Sequence, residues 1–267
     1  MHQLTRLTAS TLWGSPNGVT TQDHWVRLLW EWSGWFALPI GLLVIGLITY
    51  ALIRYRHRPG SDRIPAQFQY HIPIEAAYTI IPLVIVVIIF GLMFNAENKA
   101  DAVAKKPQLS IQVQGFQWGW RFVYPNYHVE VGTADYNNIN DNNNLPVLYL
   151  PAGETVQLQV VSLDVVHTFY VKEFLFNRDL IPGVNNIFDL TVQQPGLYEG
   201  QCNNICGEYH AYMRFQVEVL PPAQYDTWYQ NQPYCSTTTA GVSGPPTSPP
   251  AGASCPNKPV NGTNPLS

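Results

Sequence analysis

Two uninterrupted apolar runs near the N-terminus constrain this chain more than any other feature. Ser33 to Ile53 carries no charge, and Ile74 to Phe94 carries only Glu75, close to its start. At about 1.5 Å of rise per residue, either run is long enough to cross a hydrocarbon layer roughly 30 Å thick. Hydrocarbon offers no partner to backbone N–H and C=O groups, so a single spanning segment has to be helical. Pro39 is tolerated in such a helix. The connection between the runs holds Arg54, Arg56, Arg58 and Arg63. Positive charge concentrates in cytoplasmic loops, so this connection is expected inside and both termini outside.

Residues Met1 to about Thr21 are polar and lack the apolar stretch of a secretory signal. From Gln22 to Trp32, the spacing of Trp25, Leu28, Leu29 and Trp32 predicts an amphipathic helical approach to the membrane, with tryptophans at the interface. Charged residues make up 12% of the chain, low for a soluble protein, and the net charge of -4 argues against nucleic acid as a partner. The expected division is an arm and interfacial segment over 1–32, a transmembrane helical hairpin over 33–98, an all-β sandwich domain over 99–221 and a tail over 222–267.

The sandwich is predicted from a change of pattern at Leu109, where short alternating stretches begin. Candidate strands are Leu109–Gly115, Trp118–Tyr124, Val147–Leu150, Thr155–Val161, Asn186–Val192 and Arg214–Leu220, punctuated by Pro125, Pro151-Ala152-Gly153, Pro182-Gly183 and Pro195-Gly196. The Asn-rich stretch 136–144 reads as an exposed loop insertion. After Leu220 a Pro-rich, weakly ordered tail is expected. Cys235 and Cys255 lie in that tail without other chemistry, which suggests a disulfide and an oxidising compartment. The Cys-x-x-Cys-His pattern of covalently attached c-type haem does not occur.

The chemistry is concentrated between Gln201 and Met213, where Cys202, Cys206, His210 and Met213 follow as Cys-x3-Cys-x3-His-x2-Met. Two Cys at this spacing alone could form a disulfide or half of a zinc site. A disulfide needs neither His nor Met, and zinc rarely takes a thioether, so the full set favours copper, which suits thiolate, thioether and imidazole. Two thiolates can bridge two copper ions, and each ion then needs a further nitrogen. His210 is one source. His167, set in apolar surroundings after the predicted strand Thr155–Val161, is the candidate for the other.

This loop, together with Asp164-Val165-Val166-His167 and Gly115-Phe116-Gln117-Trp118-Gly119-Trp120, closely resembles subunit II of cytochrome c oxidase. The resemblance covers roughly residues 25 to 220 and implies a cupredoxin-like sandwich carrying a binuclear CuA centre. It implies that Cys202 and Cys206 bridge two coppers, that His167 and His210 each bind one, and that Met213 and the Asn204 carbonyl complete the set. The family usually has Glu where this chain has Asn204, and that carboxylate also binds a magnesium or manganese ion shared with subunit I. A neutral amide is a weak ligand for a hard cation, so the second site is in doubt here. Trp118 matches the aromatic patch where the electron from cytochrome c is taken up, while Trp120 reads as core. Asp164 matches an acidic position near the docking surface, and Glu75 matches a residue at the mouth of a proton pathway into subunit I.

The implied role is electron uptake for a proton-pumping oxidase, with oxygen reduced in subunit I and the copper domain outside a bacterial cell membrane. The stretch Glu173 to Gly183 is similar to high-GC Gram-positive members, so the donor is cytochrome c or a cytochrome of a bc complex. The alternative is the CuA domain of another terminal reductase such as nitrous oxide reductase, which adds a large catalytic domain and lacks the two spans. A copper-binding assembly protein would not need Glu75 or the Trp118 patch, and a quinol oxidase subunit would lack the copper ligands.

Overall fold

The computed structural model describes residues 14, 18–56, 60, 67, 69–104, 107, 109–125, 129–134 and 145–232. Arg58, Arg63, the Asn-rich stretch 136–144 and the Cys235–Cys255 pair lie outside the described residues. The chain divides into a helical unit and a sandwich unit.

The helical unit holds α1 (Asp23–Arg54) and α2 (Ile72–Ala100). The expected interfacial approach and first span form one continuous helix of 32 residues. Asp23 in the first turn and Arg54 in the last complement the helix dipole. Both helices are apolar around their circumference, and the apolar windows bury nothing within the chain. Such a surface requires lipid or another protein around it. In α2, the Glu75 carboxylate accepts the His71 N–H at 2.7 Å, which caps the first turn.

Among the described residues, the sandwich has ten strands in two sheets. They are β1 (Leu109–Phe116), β2 (Gly119–Val123), β3 (Val129–Gly132), β4 (Val147–Pro151), β5 (Thr155–Ser162), β6 (His167–Val171), β7 (Phe176–Leu180), β8 (Asn186–Thr191), β9 (Gly196–Cys202) and β10 (Arg214–Leu220). One sheet runs β3-β2-β1-β5-β8 and the other β4-β10-β9-β6-β7. Between them lie Trp120, Phe122, Phe169, Phe188 and Phe215, all fully buried. Phe215 stacks on Phe169 at 5.0 Å and meets the Trp120 ring edge-on at 4.9 Å. A Cβ at Gly200 would come within 2.2 Å of the Phe215 ring, so only glycine allows β9 this close to that aromatic cluster.

Three features depart from the sequence expectation. The segment before α1 belongs to the sandwich unit. Val19 is buried, Thr20 bridges Val192, and Thr21 N–H donates to Thr191, so this segment covers the β8 edge of its sheet. Thr20 and Asp23 then exchange reciprocal side-chain-to-backbone bonds at 3.1 and 3.3 Å, a capping box at the start of α1. Second, residues expected to begin the weakly ordered tail form α3 (Pro222–Gln230), with Pro at its N-terminus and Tyr225 and Trp228 buried. The Trp228 ring stacks on Tyr149 at 4.2 Å. Third, Trp118 lies in the two-residue turn between β1 and β2 and not in a strand.

Candidate metal centre

The thiol-bearing segment joins two adjacent antiparallel strands. Cys202 is the last residue of β9, paired with Phe169 of β6, and the chain returns through Cys206, His210 and Met213 into β10. His167 opens β6, so the strand pairing itself carries the imidazole to the same end as Cys202. Cys202, Cys206, Met213 and His167 are each at least 96% buried, whereas Asn203, Asn204 and Ile205 project outward.

The donor atoms converge. The two Sγ atoms are 3.8 Å apart. His167 Nδ1 lies 3.9 Å from Cys202 Sγ, and His210 Nδ1 lies 3.5 Å from Cys206 Sγ. Met213 Sδ is 3.7 Å from Cys206 Sγ, and the Asn204 carbonyl is 3.2 Å from Cys202 Sγ. All six predicted donor residues are thus within one cluster. Among the described residues, His167, Cys202 and Cys206 form the group of His, Cys, Asp and Glu close enough to share a metal ion.

The imidazole is oriented from behind. His167 Nε2–H donates to Asp164 Oδ1 at 2.7 Å, which leaves the Nδ1 lone pair facing the thiols. Asp164 also accepts Val165 N–H at 2.6 Å and Gln117 N–H at 2.7 Å. Burial acts to raise the Asp164 pKa, but the bonds from His167, Gln117 and Val165 outweigh it and hold the carboxyl below its ordinary value. Burial likewise disfavours charge on His167, yet Cys202 and Asp164 outweigh it and raise its pKa. The thiols split. Burial opposes ionisation at Cys202, but the His167 bond and neighbouring N–H groups bring its pKa down, while burial and then the Cys202 charge push Cys206 up. Two thiols this close disfavour a second negative charge, which a bound cation would offset.

Trp118 and Gln117 sit against the loop. Trp118 Nε1–H and Gln117 Nε2–H both donate to the Cys206 carbonyl, at 3.2 and 2.7 Å. The Trp118 ring meets Tyr209 edge-on at 5.0 Å. Trp120, predicted as core, is buried and donates its indole N–H to the Met213 carbonyl, which also accepts Cys202 N–H. Glu75 belongs to the helical unit and is not brought to this cluster. The contact of Asp164 with His167 and the role of Gln117 were not predicted. The i,i+3 spacing of an acid and a histidine was the signal for the first.

The donor set fits soft or borderline metals: two thiols, two imidazole nitrogens, one thioether and one carbonyl suit copper, whereas zinc rarely takes the thioether. It does not fit a hard cation. Asn204 offers only a neutral amide where magnesium or manganese would want a carboxylate.

A two-layer β-sandwich with soft sulfur and nitrogen donors gathered at one end, in a chain that also carries two helices long and apolar enough to cross a membrane, is consistent with the class of membrane-anchored metal-binding proteins. The family model for the "Cytochrome C oxidase subunit II, periplasmic domain" matches residues 109–220. A probable cytochrome c oxidase subunit 2 from Streptomyces avermitilis is 36% identical over 79% of this chain and 76% of its own length. Its counterpart from Streptomyces coelicolor is 34% identical over 82% and 78%. The crystal structure of the periplasmic domain of subunit II from Bradyrhizobium japonicum aligns over 49% of this chain and 96% of that one, at 25% identity and a TM-score of 0.44. The chain belongs to the cytochrome c oxidase subunit II family, whose members are subunits of an oxidoreductase complex, and it carries a CuA-like Cys/His site.

Proposed function

We propose that this chain takes electrons one at a time from cytochrome c, or from a cytochrome of a bc complex, at a binuclear copper centre and passes them to haem in subunit I of a proton-pumping oxidase. The observation that carries this reading is the pair of thiols 3.8 Å apart, flanked by one imidazole nitrogen each. His167, Cys202, Asn204 through its carbonyl, Cys206, His210 and Met213 would hold two copper ions. Bound there, the pair supplies a one-electron couple spread over two metals.

The chain's own residues keep that couple fast. Three of the donors sit on or beside paired strands, and Asp164 fixes the His167 ring, so little geometry is free to change between redox states. Burial of both thiols and of Met213 excludes water from their side of the site. Trp118 is the group proposed to take up the electron, since its indole N–H meets the Cys206 carbonyl and gives a short bonded route to that sulfur. Asp164 keeps a side chain 31% exposed and stays available to a basic donor surface, although its carboxylate is already committed to His167. Glu75 is proposed as a proton-uptake group at the inner end of α2. No step is assigned to magnesium or manganese.

We place the sandwich on the outer face of a bacterial cell membrane, with subunit I and other oxidase subunits as partners of the two spans. Arg54 and Arg56 at the connection support this orientation. Pairing of Val19 to Thr21 beside β8 supports the count of two spans and not the choice of face, because chain before α1 and chain after α2 then lie on one side. Metal analysis of the purified full-length chain tests the copper assignment. Two coppers per chain are expected, with Cys206→Ser losing both; one copper, or zinc, would overturn it.

A further inference from the structure

One residue outside the donor set touches both halves of the site. The His167 arm leaves β5 at Ser162 and turns through Asp164 into β6, while the Cys loop leaves β9 at Cys202 and returns into β10. These arms come from different parts of the chain. Gln117 in the β1–β2 turn reaches each of them. Its backbone N–H donates to Asp164 Oδ2 at 2.7 Å, and the other oxygen of that carboxylate holds His167 Nε2–H. Its side-chain amide donates to the Cys206 carbonyl, also at 2.7 Å. A carbonyl only accepts, so the NH2 end of the amide must face it.

The loop is shaped to receive this turn. Gly207 follows Cys206 at φ +124, and a Cβ there would lie 3.0 Å from Trp118 Cζ2 and 3.2 Å from Gln117 Nε2. A side chain at 207 would be strained in its own backbone and would also press on the turn. Between Cys202 and Cys206 the loop is open: Ile205 is 84% exposed.

We propose that Gln117 is a positioning residue that sets the spacing between the His167 arm and the Cys202–Cys206 loop, acting on one through Asp164 and on the other through the Cys206 carbonyl. The inference rests on the copper reading above. Its consequence is mechanical. The turn ties an imidazole-bearing arm and a thiol-bearing loop to one rigid hairpin, so the donor spacing exists before metal arrives and alters little when the redox state does. A purely local turn residue would steady the loop it touches and leave the His167 arm alone.

The test uses the full-length chain with Gln117→Leu, which removes the amide donor, and Gln117→Asn, which keeps the amide but shortens its reach by one methylene. Loss of one net hydrogen bond is expected to weaken copper affinity, measured by competition with a chelator, about five-fold, the factor equivalent to about 1 kcal/mol. The near-infrared band of the loaded site should shift. In the metal-free chain, amide hydrogen exchange should rise at Gly207 and also at Val165, whose N–H donates to Asp164 and not to the altered side chain. Gln117→Asn should show the same changes at smaller size. Parent-like affinity and band in both variants, or faster exchange confined to Gly207, would overturn the proposal. Absence of a copper band in the parent chain would instead overturn the copper reading itself.

Discussion

Replacing Asp164 by Asn should loosen copper about tenfold while leaving the sandwich folded. The carboxylate takes three donors: His167 Nε2–H and Val165 N–H on Oδ1, and Gln117 N–H on Oδ2. An amide has one oxygen. With that oxygen kept toward His167 and Val165, the NH2 group faces Gln117 N–H, donor against donor. Turned the other way, it faces two donors, so the first orientation wins and one bond is lost. Hydrogen bonds to a charged group contribute roughly 1.5–3 kcal/mol. The Asp164 side chain is 31% exposed, so water replaces part of the loss and the lower end of that range applies. About 1.5 kcal/mol is slightly more than tenfold in affinity, near the bottom of the 10- to 100-fold range typical when a partner behind a metal-binding histidine is removed. Competition with a chelator on the full-length chain measures it, with circular dichroism as the folding control. Parent-like affinity in a folded Asp164→Asn chain would refute the claim that the charged carboxylate, with its bond from Gln117 N–H, supports the His167 side of the site.

Two further outcomes follow from other parts of the molecule. Burial, and then the charge of Glu173, push Tyr198 up to about 12, and burial raises Tyr124, Tyr149 and Tyr225 as well. Each folded pKa lies above the unfolded value of about 10, so the stabilisation is complete below pH about 10 and is lost as pH climbs toward the folded value. Tyrosinate absorbance should therefore lag behind that of free tyrosine above pH about 10, and Tyr198→Phe should soften the alkaline loss of structure; an identical alkaline transition in the variant would contradict this. Glu75→Gln keeps an oxygen for His71 N–H, so α2 keeps its cap while the group can no longer carry a proton. Steady-state oxygen consumption should slow with copper reduction by the donor unchanged; unaltered turnover would reduce Glu75 to a capping residue.

Much of this was legible in the sequence because a few local patterns admit one solution. Long apolar runs read as helices, and the donors of the Cys loop lie so close in sequence that one turn between strands gathers them. His167 was harder, since nothing in sequence says which distant histidine a loop meets; strand pairing of Phe169 with Cys202 settles it. Strands β3, β6, β7 and β9 went unpredicted for differing reasons. β7 exposes Asn177 and Asp179 and looks polar, whereas β9 does alternate, burying Tyr198, Gly200 and Cys202, but two glycines mask the pattern. The pairing of Val19 to Thr21 with the β8 edge was invisible because it joins residues far apart in the chain through backbone groups. α3 was hidden by Pro221 and Pro222, which suggested a tail although Pro at a helix start is favourable.

The central claim is that two copper ions share one unpaired electron between Cys202 and Cys206. Electron paramagnetic resonance of the copper-loaded full-length chain tests it most directly. Two equivalent copper nuclei should give a seven-line hyperfine pattern. A four-line pattern, from one localised copper, would contradict the account.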